Sequence, residues 1–152
     1  MKKIKFLNGF VVLLILLHTA GFVSNIYISE FSAKYKNAFN TDTYFGSYMV
    51  YIYLFLRIIL IIGLIYIQRG LTIIIRNGFF NKRSSNSLKK AGFFFLISGV
   101  LNTIIHLIEY YPLGNIYLGQ DFLILLIGFS LYIIDDIIDN GNTLKQENDL
   151  TI

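Results

Sequence analysis

Residues 48–67 read YMVYIYLFLRIILIIGLIYI and run directly into QRGLTIIIRNGFFNKRSSNSLKK at 68–90. The first segment carries a single charge, Arg57, and a helix of that length rises about 30 Å at 1.5 Å per residue, the thickness of a hydrocarbon core. The second holds six of the thirteen Lys and Arg residues of the chain: Arg69, Arg76, Lys82, Arg83, Lys89 and Lys90. An apolar helix abutting a cationic segment is the pattern of a membrane span that ends on the cytoplasmic face.

Three further apolar stretches lie outward of this one, at residues 6–28, 93–110 and 117–138. Each is long enough to cross a bilayer as a helix. The expected fold is all-α: an integral membrane bundle of four transmembrane helices occupying residues 1–152 as one domain, with a basic loop at 68–92 and a tail at 139–152. Composition agrees. The chain has 152 residues, 55% hydrophobic and only 14% charged, with a mean hydropathy of +0.63. That leaves too little polar surface for a soluble domain of this size.

The distribution of basic residues sets an expected orientation. Lys2, Lys3 and Lys5, the six residues of the central loop and Lys145 fall on one side, against Lys34 and Lys36 on the other. The expectation is N-in and C-in, multi-pass, in a bacterial plasma membrane; abundant Ile, Asn, Lys, Phe and Tyr suit an AT-rich bacterial genome. The net charge of +4 is read as topogenic and lipid-facing, with no direct nucleic-acid binding. The absence of cysteine removes disulfides, thiolate nucleophiles and Cys-based metal sites.

MKKIKF at the start resembles the opening of a signal peptide. His18 two places before Ala20 disfavours cleavage there, and the apolar run continues to Ile28, so the stretch is read as an uncleaved first helix. Residues 29–46 form a polar, aromatic outer loop long enough for a short surface helix. Tyr27, Tyr44, Tyr48, Tyr51, Tyr110, Tyr111 and Tyr117 sit at span ends, as an aromatic belt would. Pro112 and Gly114 suit a tight turn. In the basic segment the second helix is predicted to continue as an amphipathic, interfacial extension ending at Asn77-Gly78, with glycine as the left-handed cap. Asn81 is the predicted N-cap of the third helix.

Arg57 is the most informative polar residue within a span. A mid-membrane arginine is unfavourable by roughly 2.5 to 3.5 kcal/mol on insertion scales, so it should face the interior and have partners. His106 and Glu109 share one face of the third helix, and Asp121 lies about one turn into the fourth. His18 and Asn102 fall near the level of Arg57. These six residues are expected to form an intramembrane polar cluster, either a ligand, ion or proton site or an internal salt bridge that locks the helices. His18, His106 and Glu109 include a His-x-x-Glu pair of the kind zinc sites use, but His18 lies at a different depth; no metal and no cofactor are expected.

Asp135, Asp136 and Asp139 spell DDxxD, a string that prenyl transferases use to hold magnesium diphosphate. That chemistry needs a second acidic cluster and an apolar cavity, and nine acidic residues in all supply no second cluster. The string reads instead as a polar helix end. Gly63, Gly92, Gly99 and Gly128, with Ser98 and Ser130, are small residues suited to close helix packing.

Residues 77–92, NGFFNKRSSNSLKKAG, and the ending ENDLTI at 147–152 carry a family likeness. The first resembles the pattern N-P-F-T-x-x-N-x-x-x-L-R-R-I-G, with Phe79-Phe80 in place of its Pro-Phe; a basic pair before Gly141 becomes Asp139-Asn140. By these segments the chain resembles a YoaS-like domain-of-unknown-function family of small four-helix bacterial membrane proteins. The resemblance implies a membrane protein of unassigned activity whose gene often neighbours a small helix-turn-helix regulator.

The functional expectation is a non-enzymatic regulatory or accessory protein. It would signal to, or sequester, a cytoplasmic partner through Arg69, Arg76, Lys82, Arg83, Lys89 and Lys90 together with Glu147, Asn148 and Asp149 of the tail. The helix-turn-helix regulator is one such partner, and the bilayer and a second copy of the chain are others. The alternative is a small oligomeric transporter or channel component that uses the polar cluster.

Overall fold

A computed structural model of the chain describes residues 2–31, 49–110 and 118–150. They form four helices: α1 (Lys2–Phe31), α2 (Met49–Asn77), α3 (Lys82–Tyr110) and α4 (Gly119–Leu150). Three segments within them are long and apolar enough to cross a membrane: Lys2–Ser24, Tyr51–Asn77 and Lys82–Ile108. The fourth helix is as long, but Asp121, Asp135 and Asp136 fall inside its apolar stretch, and these carboxylates set it apart from the other three. The outer loop at 32–48 and the turn at 111–117, with Pro112 and Gly114, lie outside the described residues.

The turn between α2 and α3 follows the predicted caps. Gly78 takes φ 90°, and its N–H donates to the carbonyl of Ile74 at 3.0 Å, which satisfies one of the carbonyls that a helix end leaves open. Asn81 caps α3: its Oδ1 accepts from the N–H of Arg83 at 2.8 Å. Its own carbonyl accepts from the N–H groups of Ser84 and Ser85 at 3.0 and 3.1 Å. Phe79 and Phe80 pack edge to face between the caps, ring centres 5.4 Å apart.

Adjacent helices run in opposite directions. Between α2 and α3, Gly63 meets Phe95 and Gly70 meets Leu88; between α3 and α4, Gly92 meets Tyr132 and Gly99 meets Leu125. The end of α2, the start of α3 and the end of α4 therefore share one end of the molecule, and Ile4 puts the start of α1 there too by packing against the buried cluster that holds Ile74, Leu88 and Ile138. Packing follows chain order, α1 on α2, α2 on α3 and α3 on α4, and among the described residues α1 does not pack against α4. The helices of the expected bundle form an open row. The physical reason is that an apolar face gains little from protein contact when lipid tails are the alternative, so only faces with close-fitting small residues are drawn together.

The core lies toward the basic end: Leu64, Ile74, Leu88, Ala91, Phe95, Leu131 and Ile138 form one buried cluster. The turns of α2 beyond residue 67 take part. Leu71 and Ile74 are buried, so this extension packs its apolar side inward, with Arg69 and Arg76 exposed. Ser84, Ser85 and Ser87 are buried beside them.

Candidate functional site

The most polar buried surface is the seam between α3 and α4, and it is built on a seven-residue repeat. Ser85, Gly92, Gly99 and His106 recur on one face of α3; Asp121, Gly128 and Asp135 recur on the facing side of α4. Seven residues are close to two helical turns, so each set stays in line. In the middle, glycine lets the backbones approach. A Cβ on Gly92 would stand 3.0 Å from the carbonyl oxygen of Gly128, and one on Gly128 would stand 3.0 Å from the amide nitrogen of Leu96.

Each end of the seam carries a buried carboxylate with a partner across the interface. Asp121 is 1% exposed, and its Oδ2 lies 2.8 Å from Nδ1 of His106. The His106 ring also lies 6.2 Å from that of Tyr53 on α2. At the other end Asp135 is 4% exposed and accepts a hydrogen bond from the hydroxyl of Ser85. At 1.5 Å per residue the two carboxylates are about 21 Å apart along α4. Buried polar groups of this kind are stable only when partnered, and each pair joins α3 to α4.

The remaining members of the expected cluster are placed elsewhere. The Arg57 guanidinium lies against α1 at Gly21, within electrostatic reach of His18. Asn102 is occupied on its own helix, its Nδ2 donating to the carbonyl of Ser98 at 2.8 Å and lying 3.3 Å from its hydroxyl. Glu109 belongs to the last turn of α3, and its side chain lies outside the described residues. The structure thus unites His106 with Asp121 and sets Arg57 with His18 at a second place, between α1 and α2. Among the described residues no group of three or more His, Asp or Glu side chains could hold a metal ion.

At the basic end Arg69, Arg76, Lys82, Arg83, Lys89 and Lys90 are all exposed, as are Phe79 and Phe80. Lys90 lies over the ring of Tyr66, its Nζ 5.7 Å from the centre, and that ring stacks on Phe94 at 5.6 Å. Helix α4 continues straight through Lys145, Glu147, Asn148 and Asp149, all exposed, to Leu150. Where α4 passes the α2–α3 turn, Gly141 meets Phe80. Thr151 and Ile152 lie outside the described residues.

Residues 30–152 match the family described as "Protein of unknown function (DUF2975)". The chain belongs to that family. The match takes in α2, α3 and α4 and both segments that carry the likeness read from the sequence. No curated protein and no solved structure matches the chain.

In this DUF2975 member the whole α3–α4 seam and Arg57 fall inside the matched residues, whereas His18 and Gly21 lie before them. Sequence reading alone takes Asp135 for a polar helix end and passes over Ser85, Tyr53 and Gly21. The seven-residue recurrence on two successive helices is the signal that points to the first two. Gly21 and Tyr53 carry no such signal.

Proposed function

We propose that this chain is a four-span protein of the bacterial plasma membrane with both termini cytoplasmic. On this reading it is a non-enzymatic regulatory or accessory protein that captures an acidic cytoplasmic partner at its basic end. The observation that carries the reading is that Arg69, Arg76, Lys82, Arg83, Lys89 and Lys90 are all exposed at the end of the molecule whose capped turn presents Phe79 and Phe80. Residues 49–108 contain no Asp or Glu, so α2 and the described side chains of α3 bring no carboxylate of their own to this surface. Aromatic anchors inside a cationic rim suit a partner that offers an apolar pocket within an acidic face. A small helix-turn-helix regulator, the neighbour that the family resemblance implies, is the first partner to test.

In the capture experiment the full-length protein, held in detergent, is used to pull down the purified partner. Replacing Lys89 and Lys90 together by glutamate should abolish capture, and Arg57→Gln should leave it intact. The reverse ranking would remove the reading. Threading is tested separately, by labelling single cysteines at Lys89 and Thr151 with an impermeant maleimide. Both should react from the cytoplasmic side.

A second reading, an oligomeric transporter or channel component, is favoured by the two buried carboxylates of α4. Ionisable groups inside apolar spans commonly mark ion or proton pathways. It predicts that Asp121→Asn stops flux in proteoliposomes while capture of a partner persists.

A further inference from the structure

Arg57 stands in the middle of the apolar stretch of α2, and among the described residues it has neither a hydrogen bond nor an ion pair. Its guanidinium lies against the backbone of α1. A Cβ on Gly21 of α1 would stand 3.0 Å from Nη2 and 3.2 Å from both Cζ and Nη1. Bare backbone at residue 21 is therefore what admits the group between the two helices. His18 precedes Gly21 by three residues and lies on the same face of α1. The guanidinium nitrogens are not sealed in, since the buried side-chain atom without a partner among the described residues is Oδ1 of Asn8.

The described surroundings offer this cation no counter-charge; the side chains of Glu30 and Glu109, and Asp42, lie outside the described residues. Lys2–Ser24 of α1 and Tyr51–Asn77 of α2 contain no Asp or Glu. The one described residue of the expected cluster that could have served as an anion, Asp121, is engaged by His106 across the other seam. A reachable guanidinium in an apolar setting, with no counter-charge among the described residues, favours an anion, because little water competes and the planar fork matches a carboxylate or phosphate in two parallel hydrogen bonds.

We propose that Arg57, with His18 beside it and the bare backbone of Gly21 behind it, forms a binding site for a single carboxylate or phosphate group between α1 and α2. The site rests on α1 and α2 being membrane spans and is independent of partner capture at the basic end. At this depth the anionic group arrives either on a lipid-soluble molecule or as a small ion entering from the aqueous side. The chemistry at the guanidinium is the same for both.

The test uses the full chain in phosphatidylcholine nanodiscs at low ionic strength. One series titrates inorganic phosphate and acetate in the buffer; the other incorporates palmitate or phosphatidate in the discs. The unfolding temperature and the mass of retained ligand are read for the wild type, Arg57→Gln and Gly21→Ala, with Gly9→Ala as the control. The expected result is a rise in the wild-type unfolding temperature with at least one anion. Arg57→Gln should weaken apparent affinity by about tenfold or more, the loss of roughly one charge-assisted contact. Gly21→Ala, which keeps the charge but displaces it, should weaken affinity by a smaller factor, and Gly9→Ala should keep the wild-type affinity and the wild-type anion-dependent rise, whatever its own unfolding temperature without anion. Saturation in the buffer series identifies a small ion as the ligand, and saturation in the lipid series identifies a lipid-borne group. Two results overturn the site: no anion distinguishes the wild type from both variants, or Arg57→Gln lowers the unfolding temperature equally at every anion concentration. If Arg57→Gln does not fold, Gly21→Ala decides the matter alone. Cysteine labelling reports the spans without any anion, so a failure of threading is distinguishable from a failure of the site.

Discussion

Helix α1 and the α3–α4 pair draw on similar apolar residues, yet they hold their neighbours differently. In α1, 6% of the apolar span is buried, against 28% in α3. Phe6, Leu7, Phe10, Leu13, Leu16 and Leu17 of α1 face outward, and Gly9 has open space where a side chain would go. On α3, glycine does the opposite work, since Gly92 and Gly99 sit where the backbone or side chains of α4 arrive. The same residue type marks an unpartnered surface in one helix and a close approach in the other. Apolarity alone does not say which helices join; small residues in register and partnered polar groups do.

The largest expected effect that sharpens this contrast is Gly128→Leu. Its side chain would meet the amide nitrogen of Leu96, which cannot move aside as a flexible side chain can, so the loss should be about 3 kcal/mol or a failure to fold. Unfolding in detergent micelles, followed by helical circular dichroism, measures it. Next in size is Asp135→Ala, which leaves the Ser85 hydroxyl buried without its acceptor and should cost about 1–3 kcal/mol. A double-mutant cycle with Ser85→Ala should return a coupling of about 0.5–1.7 kcal/mol, the range of hydrogen bonds between membrane helices; zero coupling would show that the two groups do not act on each other.

The sharpest test of the comparison is one substitution made twice. Gly92→Ala should destabilise by about 1–3 kcal/mol through overpacking against Gly128 and Tyr132. Gly9→Ala should be stabilising by about 0.5–1 kcal/mol, the ordinary gain from removing glycine inside a helix. Equal signs at the two positions would erase the distinction between the regions. The smallest effect is expected from Leu16→Ala on the outward face of α1, within about 0.5 kcal/mol.

Much of the architecture is legible in the sequence because it depends on local rules. Four helices follow from apolar run lengths. The turn at Gly78 and the cap at Asn81 follow from residues whose backbone and side-chain preferences act within three positions of themselves. Gly63, Gly92, Gly99 and Gly128 are readable as packing glycines for the same reason. What escapes is which face meets which neighbour. In a chain whose outer surface is apolar, periodic hydrophobicity no longer separates inside from outside, so Asp135 looks like the frayed end of a span when it is a buried partner of Ser85. The contact of Arg57 with Gly21 is hidden for a different reason. It depends on the relative height of two helices separated by residues 32–48, and helix rise counted from uncertain span ends does not fix that height. The extent of α4 is underestimated too, since the polar residues after 138 continue the helix that the apolar ones begin.

Along the middle of the α3–α4 seam, Tyr132 and Leu125 seat on Gly92 and Gly99, and Leu96 seats on Gly128. Axial position is fixed further at the extremities, by an imidazole against one aspartate and a hydroxyl against the other. Seven-residue spacing means that a slip of two turns would bring small residues opposite small residues again but leave both aspartates facing the wrong neighbours. The two carboxylates serve as alignment pins for the hairpin, and their burial makes every displaced alignment unfavourable.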